Sequence, residues 1–128
     1  MKKIIHSSKA PEPIGPYSQA ILCNDTLYVS GQLGINPETG EIVNATIKEE
    51  AGQALQNVNA IVEQAGFTME DVVKCTLYLR DMGQFAEVNE VYTRFFNTSK
   101  PARETVEVSR LPKNGNFEIS VIAVKEKD

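Results

Sequence analysis

The sequence has few of the residues that stabilise small folds covalently or through metals. Among its 128 residues are two cysteines, one histidine and no tryptophan. Cys23 and Cys75 are far apart and form no Cys-x-x-Cys pair, so no disulfide framework is suggested and a reducing compartment is favoured. His6 has no second soft ligand near either cysteine, so these residues cannot assemble a zinc site. Cys75 lies in an apolar alternating stretch, and we predict that it packs in the core.

Long apolar runs and an excess of positive charge are also missing. No stretch approaches the roughly 20 apolar residues that a membrane-spanning helix needs, and the basic first residues are not followed by an apolar run of signal-peptide length. Lysine and arginine number 13 against 17 aspartate and glutamate residues, a formal net charge of -4. Such a chain has no overall positive field to gather a phosphate backbone. We therefore expect a cytoplasmic protein whose partners are neither membranes nor nucleic acids.

The remaining composition is that of an ordinary globular domain. Hydrophobic residues make up 41% and charged residues 23% of the chain, values that do not indicate disorder. A chain of 128 residues has the length of one domain and should bury roughly two-thirds of its unfolded surface. We predict a single domain over residues 1–128.

Hydrophobic periodicity predicts six strands and two helices. Alternation and turn residues favour strands at 2–7, 18–23, 26–30, 71–80, 101–112 and from 117 onward. Apolar stripes favour helices at 46–66 and 84–96, and the first begins with Thr46 and Glu49 in the form of a capping box. The polar face of that helix, which includes Glu50, is predicted to be solvated. Two strand-helix-strand passages and the hairpins together predict an α+β fold, a mixed sheet with both helices on one face.

Arg103 is the first candidate site residue. It stands at the entrance of a predicted strand, two residues after Pro101, whose ring stiffens the backbone. Guanidinium can bind a carboxylate through two parallel hydrogen bonds. The ordinary alternative is a solvated or ion-paired surface arginine. We interpret Arg103 as a candidate anion clamp.

Glu118 is the second candidate. It alternates with Phe117 and Ile119, so it faces away from two apolar side chains, where an ordinary carboxylate would be solvated. If the last two strands formed a simple hairpin, Glu118 would lie about 17 Å along the strand from Arg103, at ~3.3 Å per residue. Either another strand separates them, or the Arg and Glu that act together come from different chains. We favour a site at a subunit boundary.

Four further polar or small residues occupy positions where a ligand could approach. Tyr17 directly follows a loop stiffened by prolines, where it could line a pocket or cover the edge of the core. Ser30 and Gly31 end a strand, where glycine permits close approach and serine both donates and accepts hydrogen bonds. Asn89 lies at the edge of a helical apolar stripe, where the alternatives are solvent and a polar contact that supports a site.

Several of these segments together resemble the RidA family, also called YjgF, of enamine/imine deaminases. The matching segments are GPYSQA at 15–20, SGQ at 30–32, DM at 81–82 with FAEVNEVY at 85–92, and PARETVEVSRLP at 101–112 followed by Glu118 and Ile119. They agree in order and spacing over nearly the whole chain. The resemblance implies a fold similar to the small chorismate mutase fold, assembled as a homotrimer with sites in the clefts between subunits.

The resemblance also implies an activity and a set of site residues. The activity is hydrolytic deamination of 2-aminoacrylate, 2-iminopropionate and related 2-imino acids, by-products of pyridoxal-phosphate enzymes, to 2-keto acids and ammonia, without a cofactor or metal. Arg103 would bind the substrate carboxylate and Glu118 would orient and activate water. The remaining substrate-binding positions would be Tyr17, Ser30, Gly31, Asn89 and Thr105.

Some positions depart from the family pattern. Thr105 stands where many members have cysteine, Glu104 where a small residue is frequent, and Ser120 where a second acidic residue is common; Asn114-Gly115-Asn116 replaces a more usual acidic and apolar run. These departures bear on substrate preference. Two alternatives remain open: a non-catalytic module that binds 2-keto acids, and an RNA-cleaving translation inhibitor, against which the acidic charge argues.

Overall fold

The computed structural model describes residues 1–126 and contains six strands and two helices. In chain order these are β1 Lys2–Ile5, β2 Ala20–Cys23, β3 Thr26–Leu33, α1 Ile47–Gln64, β4 Val72–Leu79, α2 Phe85–Phe96, β5 Ala102–Glu107 and β6 Phe117–Val124. Single 3-10 turns occur at Met69–Asp71, Met82–Gln84 and Pro112–Asn114. The predicted α+β class is confirmed, and each predicted strand and helix is present with somewhat different ends.

The strands form one mixed sheet in the order β1-β2-β3-β6-β4-β5. All neighbours are antiparallel except β4 and β5, which are parallel and joined through α2. Strands β3 and β4, joined through α1, run in the same direction with β6 between them. Both helical passages therefore connect parallel strands, as the element order predicted. Strands β5 and β6 are not a hairpin, because β4 lies between them.

Both helices pack on the same face of this sheet. Alternate residues of the central strands, such as Leu77 on β4 and Ile119 on β6, are fully buried against the apolar stripes of α1 and α2. The hydroxyl of Thr46 accepts a hydrogen bond of 3.1 Å from the backbone N–H of Glu49, which caps α1 as predicted. Gly66 follows that helix with φ +84°, a left-handed conformation that ends it at low cost.

The prediction of a solvated polar face on α1 is wrong for Glu50, which is only 1% exposed. Its carboxylate accepts hydrogen bonds from the backbone N–H of Asn116 at 2.6 Å, the Asn116 side chain at 2.9 Å and the backbone N–H of Phe117 at 3.2 Å. These donors replace the water that a buried carboxylate loses. Glu50 thereby ties α1 to the start of β6, the strand that carries Glu118.

The face of the sheet opposite the helices, called here the open face, is covered by neither helix. Apolar side chains line up across it: Ile4, Ile21, Tyr28 and Ile122 are register partners on four neighbouring strands. Ile4 is 63% exposed and Tyr28 50% exposed. A contiguous apolar surface of this kind usually marks a contact with another molecule.

Neither α1 nor α2 is long and apolar enough to cross a membrane, and this holds for every helix in residues 1–126.

Candidate functional site

Glu118 borders a cavity of about 320 Å³ at one end of the open face. The side chain is half-buried and projects from β6 between Phe117 and Ile119, both of which face the core. Alternation along the strand therefore orients it as predicted. Tyr17 and Gly31, two of the predicted site residues, also line this cavity, together with Ile14, Leu33 and Ile35.

Gly31 makes room for the Glu118 carboxylate. A Cβ atom at position 31 would lie 2.6 Å from Oε2 and 2.8 Å from Cδ of Glu118. The register between β3 and β6 shifts between Val29 and Gln32, so Gly31 lies within a β-bulge. Bulges and strand glycines commonly mark a close approach of a side chain or ligand to the backbone. The structural reason for glycine at this position is thus the carboxylate itself.

The cavity also changes the acidity of Glu118. Burial raises the pKa of its carboxyl above the ordinary value, because the low-polarity surroundings disfavour the charged form. A carboxyl with a raised pKa exchanges protons more readily near neutral pH than a solvated one. Such a group can act as a general base and then as a general acid.

Arg103 lies in a different setting, between β5 and α2. Its Nη1 donates a hydrogen bond of 2.7 Å to Oδ1 of Asn89. The guanidinium carbon lies 4.7 Å from the ring centroid of Tyr92 and 5.4 Å from that of Phe85. Two aromatic faces and one amide oxygen hold the cation in place without neutralising it. Within residues 1–126, no carboxylate lies within ion-pair distance of Arg103.

Asn89 therefore makes the polar contact that was weighed against solvent exposure. It is half-buried on α2 and borders, with Tyr92, Lys100 and Arg103, a second cavity of about 280 Å³. The amide oxygen of Asn89 accepts one hydrogen bond from the guanidinium of Arg103. The other N–H groups of the guanidinium stay available for a carboxylate. In this structure Asn89 orients Arg103, and a direct contact of Asn89 with substrate stays a prediction.

The structure does not bring Arg103 and Glu118 together within one chain. Arg103 pairs with Cys75 on β4, which pairs with Val121 on β6, whereas Glu118 pairs with Tyr78. An offset of three residues at ~3.3 Å and of two strands at ~4.8 Å places the two Cα atoms about 14 Å apart. Their side chains also point to opposite faces, because Arg103 contacts α2 and Glu118 lies on the open face. The sequence left two alternatives: a strand between β5 and β6, or a site that takes Arg103 and Glu118 from different chains. The structure has the intervening strand, β4, and it leaves the two residues far apart within one chain.

Ser30 and Thr105 border neither of these two cavities. The hydroxyl of Ser30 donates a 2.6 Å hydrogen bond to the carbonyl of Ser18, which fixes the bulged strand to the segment before β2. Thr105 is half-buried on the helix face of β5, two residues after Arg103. Their contacts with substrate stay predictions.

The sequence interpretation missed the roles of Phe85 and Tyr92, which it assigned only to the core stripe of α2. With Asn89 they occupy positions i, i+4 and i+7, so the three side chains share one face of the helix, the face toward Arg103. That spacing was the signal that could have identified them. The Tyr92 hydroxyl is buried without a hydrogen-bond partner in the described part of the chain.

Cys75 lies behind this group and is fully buried. Burial raises the pKa of its thiol to about 11, so the thiol stays protonated at neutral pH and is a poor nucleophile. The predicted packing role is confirmed. Within residues 1–126, no group of three or more His, Cys, Asp or Glu side chains is placed to hold a metal ion.

Comparison with known proteins identifies the family. The model of the family described as Endoribonuclease L-PSP matches residues 7–125. A RutC family protein from Pyrococcus horikoshii is 54% identical over 98% of this chain and 100% of its own. The 2-iminobutanoate/2-iminopropanoate deaminase of Bos taurus is 48% identical over 98% of this chain and 91% of its own.

Solved structures agree with the sequence comparison. Escherichia coli TdcF, solved with bound serine, has a TM-score of 0.92 and 42% identity, over 97% of this chain and 99% of its own. Other solved relatives are named after endoribonuclease or after inhibition of translation initiation. The resemblance noted in the sequence is thus confirmed over nearly the whole chain, and the protein belongs to the RidA/YjgF family, whose family model is named Endoribonuclease L-PSP.

Proposed function

We propose that this protein is a hydrolase that converts 2-imino acids, and their enamine tautomers, to 2-keto acids and ammonia. The observation that carries the proposal is the pair of preorganised groups: an arginine held by Asn89, Phe85 and Tyr92, and a glutamate with a raised pKa in a largely apolar cavity. The first suits a substrate carboxylate, and the second suits proton transfer to and from water.

Arg103 binds the carboxylate in this proposal. Its contact with Asn89 uses one N–H group of the five that a guanidinium carries. The remaining groups can form a two-pronged contact with a carboxylate, which fixes both the position and the orientation of a small substrate. The rings of Phe85 and Tyr92 restrict the arginine before the substrate arrives, so less side-chain freedom is lost on binding.

Glu118 performs the proton transfers. Its ionised carboxylate takes a proton from water as the water oxygen adds to the carbon of the protonated imine, forming a carbinolamine. The protonated Glu118 then returns the proton to the nitrogen. The carbon-nitrogen bond breaks and ammonia leaves, while the hydroxyl becomes a carbonyl by giving its proton to the ionised Glu118, which passes it on to ammonia or solvent. These steps require only positioning and one acid-base group, because such imines also hydrolyse spontaneously.

The proposed site lies between two copies of the chain. A separation of about 14 Å on opposite faces of the sheet is too large for one small substrate to contact both groups of one chain. The open face presents the apolar row of Ile4, Ile21, Tyr28 and Ile122 beside the Glu118 cavity. If α2 and β5 of a second copy lay against this region, its Arg103 would face Glu118. We propose a homotrimer in which this contact repeats around a closed ring.

The names of relatives support the same chemistry. The Bos taurus relative is named a 2-iminobutanoate/2-iminopropanoate deaminase, and the Escherichia coli relative holds serine, which carries an α-carboxylate. Both point to small molecules derived from amino acids. The formal net charge of -4 gives no comparable support for RNA cleavage.

The test is the rate at which 2-iminopropanoate disappears. The imine is generated from alanine by an amino-acid oxidase and trapped competitively with semicarbazide, so hydrolysis by the protein lowers the yield of semicarbazone. Wild-type protein should lower that yield, and Arg103→Ala should lose the effect while keeping its circular dichroism spectrum. A wild-type rate equal to the spontaneous rate would contradict the proposal and favour a keto acid-binding module, whereas cleavage of added RNA would favour the nuclease.

A further inference from the structure

The cavity beside Glu118 is larger and more apolar than the smallest substrates of the proposed reaction require. Resting on the proposed function, we infer that this cavity receives the side chain of the substrate, and that the preferred substrates are 2-imino acids with a branched aliphatic side chain, such as the imine derived from leucine. The inference concerns which side chain is preferred within the class of 2-imino acids, a choice that the catalytic pair does not specify.

Size is the first argument. A volume of about 320 Å³ lies within the range of about 300–1,000 Å³ typical of small-molecule sites and is far larger than one methyl group needs. The imine of alanine carries only a methyl side chain and would leave most of this space to water. The imine of leucine would fill more of it and remove apolar wall from water, at roughly 0.8 kcal/mol per buried methylene.

Polarity is the second argument. The apolar residues Ile14, Leu33, Ile35 and Pro112 line the cavity together with Glu118. The polar side chains that also border the cavity are mostly committed elsewhere. Gln19 bonds to backbone groups of residues 7, 10 and 11, and Gln32 donates to the carbonyl of residue 30. An uncharged apolar side chain therefore matches the lining best.

Charge at the rim disfavours a second carboxylate on the substrate. Glu12 and Glu118 both border the cavity. Among the described residues that border it, Lys113 is the one cation, and its Nζ donates to the carbonyl of Gly40 at 2.7 Å. The Glu12 carboxylate contacts the imidazole of His6 at 2.9 Å. The opposition to a second substrate carboxylate therefore comes mainly from Glu118, with a partly engaged lysine to offset it.

The apolar walls are also held in place before any ligand binds. Asn57, only 1% exposed, donates hydrogen bonds of 3.0 and 2.9 Å to the backbone carbonyls of Leu33 and Ile35. The hydroxyl of Tyr17 accepts a 3.2 Å hydrogen bond from the backbone N–H of Ile14. Both walls are therefore anchored through their backbones, and a ligand side chain enters a preformed space.

The experiment compares two imines under identical conditions. Alanine and leucine are oxidised in place, and kcat/KM is measured by semicarbazide competition after subtracting the spontaneous rate. We expect kcat/KM to be at least about tenfold higher for the leucine imine, since even one extra methylene in an apolar pocket can be worth that much. Equal values, or a preference for alanine, would overturn the inference and leave the proposed function intact.

Two substitutions test the walls, with a matched control. Ile14→Ala removes apolar surface from a side chain that is 62% exposed, so folding should be unaffected. It should reduce the leucine-to-alanine ratio of kcat/KM several-fold. Ile35→Phe fills the cavity and should reduce the ratio further. Met82→Ala shortens another exposed apolar side chain outside the cavity and should leave the ratio unchanged. An unchanged ratio in Ile14→Ala and Ile35→Phe would contradict the assignment.

Ligand binding separates this inference from the proposed function. Isothermal titration calorimetry with the product-like acids 4-methyl-2-oxopentanoate, pyruvate and 2-oxoglutarate requires no turnover. We expect the first to bind at least about tenfold more tightly than pyruvate, and 2-oxoglutarate to bind most weakly. If wild type accelerates neither imine but keeps this order of affinities, the catalytic proposal fails while the cavity assignment stands. The reverse order of affinities would overturn the cavity assignment.

Discussion

The Glu118 carboxylate occupies the space that a side chain at position 31 would need. The closest approach is 2.6 Å, between Oε2 of Glu118 and a Cβ built on Gly31. The bulge in β3 and the alternation of β6 bring these two residues together from different strands. Because the conflict involves the end of a side chain, an alanine at position 31 would displace the carboxylate rather than the backbone.

We predict that Gly31→Ala keeps the fold and loses most imine hydrolysis. The backbone of Gly31 is not left-handed, because its φ is not positive. Alanine at this position should therefore cost little in folding. The displaced Glu118 could no longer orient water, and misplacement by about 1 Å can cost on the order of 100-fold in rate. The measurement is kcat/KM for the imine beside thermal unfolding.

A matched control is available in α1. A Cβ built on Gly52 has its nearest neighbour at 3.9 Å, an ordinary contact with Val91. Gly52→Ala should therefore leave activity unchanged and stabilise the protein by roughly 0.5–1 kcal/mol through helix propensity. Full activity in Gly31→Ala would remove the orientation of Glu118 from the mechanism.

Arg103→Lys tests the geometry of the anion clamp rather than its charge. Lysine keeps the positive charge but cannot form two parallel bonds to a carboxylate while also contacting Asn89. We expect kcat/KM to fall by at least about tenfold, with little change in the melting temperature. Arg94→Lys is the control, because Arg94 is an exposed arginine of α2 whose ion pair with Glu90 is long, at 3.9 Å. Equal activity in Arg103→Lys and wild type would exclude a two-pronged contact.

The prediction from sequence succeeded where the pattern is local. Alternation placed Glu118 opposite Phe117 and Ile119, and the spacing of apolar residues located both helices. The motif matches brought Arg103, Asn89 and Gly31 into consideration, and the structure gives Gly31 and Asn89 physical reasons for their identity.

Where the outcome depends on pairing between distant segments, prediction from sequence stopped short. Nothing in the local pattern of β6 places it between β3 and β4, and that insertion decides the distance between Arg103 and Glu118. Glu50 was misassigned for the same reason. Its three donors belong to Asn116 and Phe117, which follow Glu50 in the chain by 66 and 67 positions. Only the folded chain places them next to this helical glutamate.

The raised pKa of Glu118 predicts how activity depends on pH. The carboxylate must be ionised to accept a proton from water, so activity should fall as pH decreases through its pKa. Since burial raises that pKa, the acidic limb of kcat/KM should lie above the value of about 4.3 typical of a solvated glutamate. The measurement is kcat/KM across pH, and a limb at or below that value would contradict the role of Glu118 as the base.

The same pKa predicts the sign of a stability effect. A carboxyl whose pKa is raised on folding binds its proton more tightly in the folded state, so its contribution to stability falls as pH rises from the unfolded to the folded pKa. Above that range an ionised carboxylate remains partly buried. Glu118→Gln, which resembles the protonated acid, should therefore gain melting temperature relative to wild type as pH rises from about 4 to 7. A difference in melting temperature between Glu118→Gln and wild type that stays constant across this pH range would contradict the raised pKa of Glu118. The variant should also lose hydrolysis while still binding a keto acid.

Mixing two inactive variants tests whether the site is shared between chains. Arg103→Ala retains Glu118, and Glu118→Gln retains Arg103, so neither homo-oligomer should hydrolyse the imine. If each site takes Arg103 from one chain and Glu118 from another, random co-assembly of equal amounts should restore about one quarter of all sites, and about one third of the sites in mixed trimers once the homotrimers are removed. A site formed within one chain would never be restored, because each chain lacks one of the two groups.

The mixing experiment requires that chains exchange, so the variants should be co-expressed with different affinity tags and purified through both tags in succession. In the control, the Arg103→Ala chain is co-expressed with a chain that carries both Gly31→Ala and Glu118→Gln. This mixture also combines a chain that lacks Arg103 with a chain that lacks Glu118. Gly31→Ala lies in the chain that contributes only Arg103 to a restored site, so activity should return to the same level. Recovery in both mixtures would support a site between chains, and no recovery in a verified mixed oligomer would contradict it.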